Sequence, residues 1–527
     1  MIFKSPHPDV TIPDISVAEF VLRHAKRLAN KPAIIEAATG RTLTYGQLEE
    51  SVRKVAAGLA ARGFVKGDVL AIYSPNVPEY AVLLLATEML GGICTTANPL
   101  YTAGELARQL EDSTARFLFT VGPFLEKAKE AASDSSIEQL FAIDDAEGAT
   151  PFSALMQEGS NPPAVTINPA EDLAVLPYSS GTTGFPKGVM LTHRNIVTNL
   201  CQCEGMESFE GFEEPDIVLG VLPFFHIYGM VVVLQLSLAK GATLITMPRF
   251  DMEEFLGAVQ KYKITIAPLV PPIIVGLAKH PVVDQYDLSS LRFVMSGAAP
   301  LSESLAQEAG KRIDCRLAQG YGMTEASPVT HLSPTTFPNY KVGSLGMPLP
   351  NTEVTIVDTE TGKPMKQGES GEIWIRGPQI MKGYLARPDA TAESINSEGW
   401  YKTGDIGYVD EDGYFFAVDR LKELIKFKGL QVAPAELEAL LLTHPAIADA
   451  AVIPVADVEA GELPKAYVVL RAGQQLDADG LMEFVSGRVA PHKRIRLVEF
   501  VEEIPKSASG KILRRVLIEQ ERAKASN

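Results

Sequence analysis

An α/β architecture is predicted, with a large N-terminal domain of several subdomains, parallel βα sheets plus a small β-barrel-like region, and a small α+β C-terminal domain. Three observations predict it. From about Ser16 to Val121, and again through residues 216–320, strand-like apolar runs alternate with helical stretches, the pattern of a mostly parallel sheet with helices on its faces. After about residue 340 short strands separated by turn signals take over. From Asp419 the composition turns basic and one more small α/β unit follows, which places a boundary there.

Taken in order, Ser16-Val17-Ala18-Glu19-Phe20 begins a helix, and Leu43-Thr44-Tyr45 leads into an amphipathic helix near 47–62. Val69–Tyr73 reads as a strand and 79–90 as a helix. The apolar run 173–178 reads as a buried strand, and 189–192 as a second strand after an intervening loop. Residues 217–239 carry no Asp, Glu, Lys or Arg and are long enough by count to cross a bilayer. Gly220, Pro223, His226, Gly229 and Gln235 break that stretch into a strand, a turn and a helix, so it is read as buried core. Further βα units include strands at 264–267 and 293–297, and the later short strands fall at Glu353–Val357, 371–375 and 414–418. Asp410-Glu411-Asp412-Gly413 lacks the downstream ligands of a calcium loop and reads as a hairpin turn.

The totals narrow the function. A length of 527 residues suggests about three to four domain-sized units. A net charge of −17 argues against a general nucleic-acid binder, and any anionic ligand must be held by local basic clusters. Four cysteines do not make a disulfide framework, and Cys201-x-Cys203 has no second Cys/His pair at ligand spacing, so core thiols are expected. The N-terminus shows no apolar leader and the C-terminus no peroxisomal tripeptide, which makes the cytoplasm the default compartment, without stable membrane insertion.

The most informative segment is Ser179-Ser180-Gly181-Thr182-Thr183-Gly184-Phe185-Pro186-Lys187. Glycines let backbone N–H groups approach a polyphosphate, hydroxyls donate hydrogen bonds and lysine supplies a mobile charge. A Walker A loop would need Ser or Thr after the lysine, where Gly188 stands, and the strand-like 189–192 makes the loop a connection between two strands. Gln319-Gly320-Tyr321-Gly322-Met323-Thr324-Glu325 reads as a glycine-punctuated turn on which Tyr321 offers a purine an aromatic face and Glu325 offers Mg²⁺ a carboxylate. Tyr401-Lys402-Thr403-Gly404-Asp405 puts a carboxylate in a loop, suited to a ribose diol. The segment 419–429 packs four cations between Arg420 and Lys428, and Pro505-Lys506-Ser507-Ala508-Ser509-Gly510-Lys511 offers a lysine on a tight turn. Each alone is weakly specific; their occurrence in this order is highly specific.

Together with Leu-Pro-Phe-Phe-His-Ile-Tyr-Gly (222–229) and Ser-Gly-Ala-Ala-Pro-Leu (296–301), these segments resemble the adenylate-forming acyl-CoA synthetases, most closely the 4-coumarate–CoA ligase-like branch, from about Thr42 to Arg515. The resemblance implies a two-step acid–thiol ligation. A carboxylate attacks the α-phosphorus of ATP to give an acyl-adenylate and pyrophosphate, and coenzyme A then displaces AMP. It also implies that Ser179, Ser180, Gly181, Thr182, Thr183, Gly184 and Lys187 hold the β/γ-phosphates, with Mg²⁺ held by Glu325 and Thr182. Gln319, Gly320, Tyr321 and Thr324 fall to the adenine and α-phosphate region, and Asp405, Arg420 and Lys422 to ribose and AMP. Lys511 serves adenylation, Lys426 and Gln431 thioester formation, and His226 stands with them among the catalytic groups. Arg249, Lys428 and Gly429 fall to coenzyme A. The C-terminal unit is then mobile, the division being 1–418, a hinge at 419–422, and 423–527.

The acyl pocket implied by the resemblance is lined by His226, Tyr228, Val232, Met295, Ala298, Gly322 and Leu332. Plant hydroxycinnamate ligases usually carry lysine where Met295 stands and a polar residue near Val232, so this pocket offers a 4-hydroxyl group fewer partners. Cinnamate-type aromatic acids, medium-chain fatty acids and other hydrophobic acids stay open. A luciferase-like oxygenase shares the adenylation step, but His226-Ile227-Tyr228-Gly229 is more similar to a coumarate ligase. A peptide-synthetase domain would be followed by a carrier domain, for which the residues after Lys511 leave no room, and a non-catalytic carrier is disfavoured by intact Lys187, Glu325, Lys426 and Lys511. A monomer or homodimer is expected.

Overall fold

The computed structural model describes residues 1–527 except 158, 160, 180–185, 207–210, 300, 336–340, 429, 458, 508–509 and 526–527. Among the described residues the strands form four sheets, and the first two carry the alternating βα chain. In the first, Leu173–Val175, Ile93–Thr96, Val69–Tyr73, Ala115–Thr120, Gln139–Ala142 and Thr150–Pro151 run parallel, and the antiparallel pair Lys187–Thr192 and Tyr178–Ser179 closes one edge. In the second, Pro32–Glu36, Thr243–Thr246, Ile217–Gly220, Ile266–Leu269, Phe293–Ser296 and Arg316–Gly322 run parallel. One continuous apolar core joins both, because helices such as Pro78–Met89 are buried nearly all round. That is the expected cost of burying parallel strands on both faces.

Local signals account for the helix starts. Tyr45–Ala61 begins at Thr44, whose side chain accepts from Gln47 N–H while the Gln47 side chain accepts from the Thr44 N–H. This reciprocal cap satisfies two otherwise orphaned donors. Val69–Tyr73 and Glu353–Val357 fall where the sequence pattern puts them.

The barrel-like region is a five-stranded antiparallel sheet of Ile2–Lys4, Glu353–Val357, Gly371–Arg376, Tyr401–Val409 and Phe415–Arg420, extended by a bridge from Gly346 to Phe415. The fourth sheet uses only strands from Ile425 onward and has its own apolar core around Ile425, Leu437, Val452 and Val468. The Asp410 turn is a hairpin: Asp410 Oδ1 accepts from Asp412 and Tyr414 N–H at 3.0 Å.

Three local expectations are corrected. Gln319–Gly322 is the end of a strand, not a turn, because its backbone pairs with both Phe293–Ser296 and Val329–Leu332. Asp405 lies in the strand Tyr401–Val409, not in a loop, opposite Arg420. The expected helix after Pro223 is a π-helix over Tyr228–Gln235 before it becomes α at Leu236–Ala239. Among the described residues no helix is long and apolar enough to cross a membrane. The four cysteines are free, with burial pushing the Cys201 thiol up to about 11, and no cluster of metal-ligating residues is found among the described residues.

A candidate adenylation cleft at the strand ends

The second sheet delivers its chemistry at one edge. Parallel strands place their carboxyl ends side by side, and the loops leaving those ends form a crevice. The register aligns Gly220 with Thr246, Leu269 with Ser296, and Ser296 with Gln319. His226 and Tyr228 therefore follow one strand end, Val270 and Pro272 a second, Gly297 and Ala298 a third, and Gly320–Gly322 close a fourth. Arg249 follows Thr243–Thr246 and is exposed.

The apolar part of the crevice is built from contacts that only small residues permit. Tyr228 hydroxyl donates to the Met295 carbonyl at 3.2 Å, and a Cβ on Gly297 would lie 2.9 Å from the Tyr228 ring. A Cβ on Gly320 would lie 3.1 Å from Leu332, and one on Gly322 would lie 2.2 Å from the Pro328 carbonyl oxygen. Val232, Met295 and Leu332 are buried. Ala298 adopts φ 69°, a left-handed conformation that costs a residue with a side chain of its size about 1 kcal/mol. Such strain is commonly kept at functional sites. Val232 lies inside the π-helix, whose extra residue per turn is found most often at functional positions.

His226 Nδ1 accepts from the Tyr228 N–H at 3.3 Å, which leaves the ring proton on Nε2. Burial, with the Lys511 charge nearby as a second cause, lowers the His226 pKa to about 3, so the ring is neutral. Gln319 Oε1 accepts from Leu301 N–H while its Nε2 is buried and has no partner among the described residues.

The polar part gathers around three carboxylates and their partners. Glu325 is buried, and its Oε1 accepts from the Ser179 hydroxyl and the Tyr384 hydroxyl, both at 2.9 Å. Lys187 Nζ stands 4.8 Å from the centre of the Tyr384 ring. Asp405 accepts from Tyr321 hydroxyl at 2.6 Å through Oδ2 and meets Arg420 at 3.2 Å through Oδ1. Tyr321 packs on His331 at 5.5 Å between ring centres. Asp419 Oδ2 accepts from Ala435 N–H at 2.8 Å, tying the last strand of the barrel-like sheet to the unit that follows.

Lys511 reaches this cleft from the C-terminal unit. Ser507 Oγ accepts from its N–H at 3.1 Å, and Gly510 turns the chain at φ 77°. A Cβ on Gly510 would sit 3.1 Å from Pro272, so the turn lies directly against a strand-end loop of the second sheet. Burial and then Arg420 lower the Lys511 pKa, while Asp405, Glu325 and Glu423 act against them. Lys511 is thus within electrostatic reach of Glu325, Asp405, Arg420 and His226 together.

Lys426 and Gln431 are not brought there. They face each other, both exposed, on the hairpin Ile425–Phe427 and Leu430–Val432, where Lys426 N–H donates to Glu462. Lys422 and Lys428 are exposed as well, Lys428 at φ 50°. Thr324 is half-buried, next to Glu325. Ser180, Gly181, Thr182, Thr183, Gly184 and Gly429 lie outside the described residues. Tyr384 was not singled out by sequence reasoning; Gly383–Tyr384 pairs with Lys187–Thr192 across nearly two hundred residues, which no local pattern signals.

Known proteins match this arrangement along nearly its whole length. The chain is 46% identical over 525 residues to 4-coumarate–CoA ligase 1 of Petroselinum crispum, covering 98% of this chain and 96% of that one. It is 46% identical over 526 residues to 4-coumarate–CoA ligase 2 of Nicotiana tabacum, with the same coverage. The structure of an anthranilate CoA ligase in complex with anthranoyl-AMP superposes with a TM-score of 0.90 at 25% identity, over 98% of this chain and 99% of that one. A benzoate CoA ligase from Burkholderia xenovorans superposes with a TM-score of 0.85 at 25% identity, over 95% and 99% of the two chains. Residues 436–511 match the AMP-binding enzyme C-terminal domain, and residues 21–385 match the AMP-binding enzyme family. The match over residues 21–385 spans more than half of the sequence, and the chain belongs to the AMP-binding enzyme family.

Proposed function

We propose that this cleft carries out ATP-dependent ligation of a hydrophobic carboxylic acid to coenzyme A, with hydroxycinnamate- or cinnamate-type aromatic acids favoured. The observation that carries the reading is the turn of Lys511, whose Gly510 lies against Pro272 at the strand ends, with the charges of Arg420, Asp405 and Glu325 acting on the lysine. A lysine held there meets the charge that develops when a carboxylate oxygen attacks the α-phosphorus and pyrophosphate leaves. At about 4 Å and an effective dielectric near 20, such an interaction is worth roughly 4 kcal/mol, about a thousandfold in rate. Stabilisation of this kind, with positioning, supplies most of the catalysis in phosphoryl and adenylyl transfer.

The other residues take roles that their contacts support. Ser179 and Lys187 flank the polyphosphate site together with the loop 180–184, and Asp405 and Arg420 face the ribose with Tyr321 and Gln319 beside the adenine. Gln319 Nε2, without a partner among the described residues, supplies a donor there. Glu325 fits Mg²⁺: Oε1 is held by two hydroxyls, and Oε2, with no hydrogen bond among the described residues, supplies a hard oxygen ligand. The ion, when bound, offsets charge on the phosphate oxygens. Neutral His226 donates from Nε2 toward the carboxylate of the acid.

For the second half-reaction, the C-terminal unit rotates about residues 419–422, replacing Lys511 with the Lys426–Gln431 hairpin and bringing Lys428 and Gly429 toward coenzyme A beside Arg249. Gating by a few boundary residues of this sort is physically ordinary. Units 1–418 and 423–527 are the moving bodies. The free, mostly buried cysteines suit a reducing cytoplasm.

The relatives named as 4-coumarate–CoA ligases and the aromatic-acid ligases of the same fold support an aromatic acid. Met295 and Val232 leave the buried pocket apolar, which favours cinnamate over its 4-hydroxy analogue and keeps fatty acids as a second reading. A screen of pyrophosphate release and acyl-CoA formation across cinnamate, 4-coumarate, benzoate, octanoate and palmitate tests it. Highest kcat/KM for cinnamate-type acids is expected; acyl-CoA from none of them, or preference for palmitate, overturns the substrate reading.

A further inference from the structure

Tyr384 touches the two charged groups of the nucleotide site at once. Its backbone is fixed to the strand that leaves the phosphate loop: Tyr384 pairs with Val189, Leu385 N–H donates to the Gly188 carbonyl at 2.9 Å, and Lys382 N–H to the Met190 carbonyl at 3.0 Å. Thr391 Oγ1 accepts from the Tyr384 N–H at 2.9 Å. Gly383 sits at φ 146° with no room for a Cβ, which would lie 2.8 Å from Thr391. The ring therefore has a set place relative to the loop. Its hydroxyl donates to Glu325 Oε1, and its face lies under Lys187 Nζ.

Lys187 and Glu325 carry opposite charges and converge on this one side chain, yet no salt bridge joins them among the described residues. In a half-buried cleft, two such groups left free would pair, and the pair would consume both the cation needed by phosphate and the carboxylate needed by a divalent cation. We propose that Tyr384 is a positioning residue that holds Lys187 and Glu325 apart, the cation on its ring face and the carboxylate on its hydroxyl, so that each stays available to the polyphosphate and its metal. The proposal rests on the ATP-binding reading of the cleft. It assigns the ring and the hydroxyl separate jobs, and these can be removed one at a time.

The experiment compares the full-length protein with Tyr384→Phe and Tyr384→Leu, titrating ATP calorimetrically with EDTA and then with Mg²⁺. Tyr384→Phe keeps the ring, so metal-free ATP affinity stays within about twofold while the apparent Mg²⁺ requirement rises several-fold. Tyr384→Leu loses both, and metal-free ATP affinity falls about tenfold, the size of one lost cation–ring contact. A crystal structure of Tyr384→Leu should show Lys187 Nζ within salt-bridge distance of Glu325. The KM for the acid and thioester formation from supplied acyl-adenylate should stay unchanged in both variants, which separates positioning from general damage. ATP affinity equal to wild type in Tyr384→Leu, or equal losses in ATP, acid and thioester steps, overturns the proposal. A wild-type protein that binds no ATP would overturn the functional reading instead.

Discussion

Replacing Gly297 with alanine should damage use of the acid and spare the nucleotide. The new Cβ would lie 2.9 Å from Tyr228 Cε1 and 3.2 Å from Cζ. Carbon–carbon contacts settle at about 3.5–4.0 Å, so the ring must yield by roughly half an ångström or more. It is pinned at its far end by the hydroxyl bond to Met295 O. Overpacking of this kind costs about 1–3 kcal/mol, and a lost neutral hydrogen bond adds about 1 kcal/mol. If the ring relieves the clash by swinging into the pocket, a ligand must push it back. An effect of about 2 kcal/mol on acid binding corresponds to roughly a 30-fold loss in kcat/KM. Steady-state kinetics over acids of graded width, with ATP varied separately, reads this out. The loss should be greatest for aromatic acids, smaller for straight-chain acids, and absent from the KM for ATP. Tyr228→Ala in the same background should recover part of it. A uniform loss across all acids, or an equal change in the KM for ATP, would refute the placement of Gly297 and Tyr228 in the acyl pocket.

Other perturbations separate the remaining parts of the site. Lys511→Ala should slow acid-dependent pyrophosphate release by roughly a thousandfold while leaving conversion of a supplied acyl-adenylate to thioester intact, and Lys426→Ala should do the reverse. Because burial and Arg420 lower the Lys511 pKa, its proton is lost at a pH below that of an ordinary lysine. Adenylation should therefore fall on the alkaline side earlier than a solvent lysine would allow, and Lys511→Arg should move that limb upward, read from the pH profile of pyrophosphate release. His226, with its pKa near 3, should leave no inflection between about pH 5 and 8, so His226→Gln should lower activity without moving the acid limb. Thr44→Ala removes one half of a reciprocal helix cap and should lower stability by about 1 kcal/mol in thermal unfolding, with kinetics unchanged.

The sequence was most legible where one local signal decided the outcome. Val69–Tyr73 is a continuous apolar run buried on both faces, and it forms the strand expected. The amphipathic pattern near 47–62 placed the start of Tyr45–Ala61 to within two residues. Glycines misled where pairing from afar overrode them. Gly320 looked like a turn but sits in a strand, because Leu332 on the neighbouring strand pairs with it and the missing side chain makes room for the Leu332 side chain; Gly404 keeps the positive φ of a turn residue but lies at an irregularity inside the strand Tyr401–Val409. The π-helix was not legible because one extra residue per turn leaves the apolar pattern of 228–235 unchanged. Tyr384 was missed for a related reason: its meaning comes from the strand it joins, not from its neighbours in sequence. The motif lysines were visible as types and spacings, whereas which of them occupies the cleft depends on how the C-terminal unit docks, and the contact of Gly510 with Pro272 decides that for Lys511.

The central claim is that one cleft first makes an acyl-adenylate and then passes the acyl group to coenzyme A. Rapid-quench mass spectrometry with ATP, cinnamate and the purified protein tests it directly, first without coenzyme A and then with it. The account predicts enzyme-bound cinnamoyl-AMP with one pyrophosphate released in the first case, and cinnamoyl-CoA with AMP formed in equal amount in the second. Formation of ADP and phosphate, or of thioester with no adenylate preceding it, would contradict it.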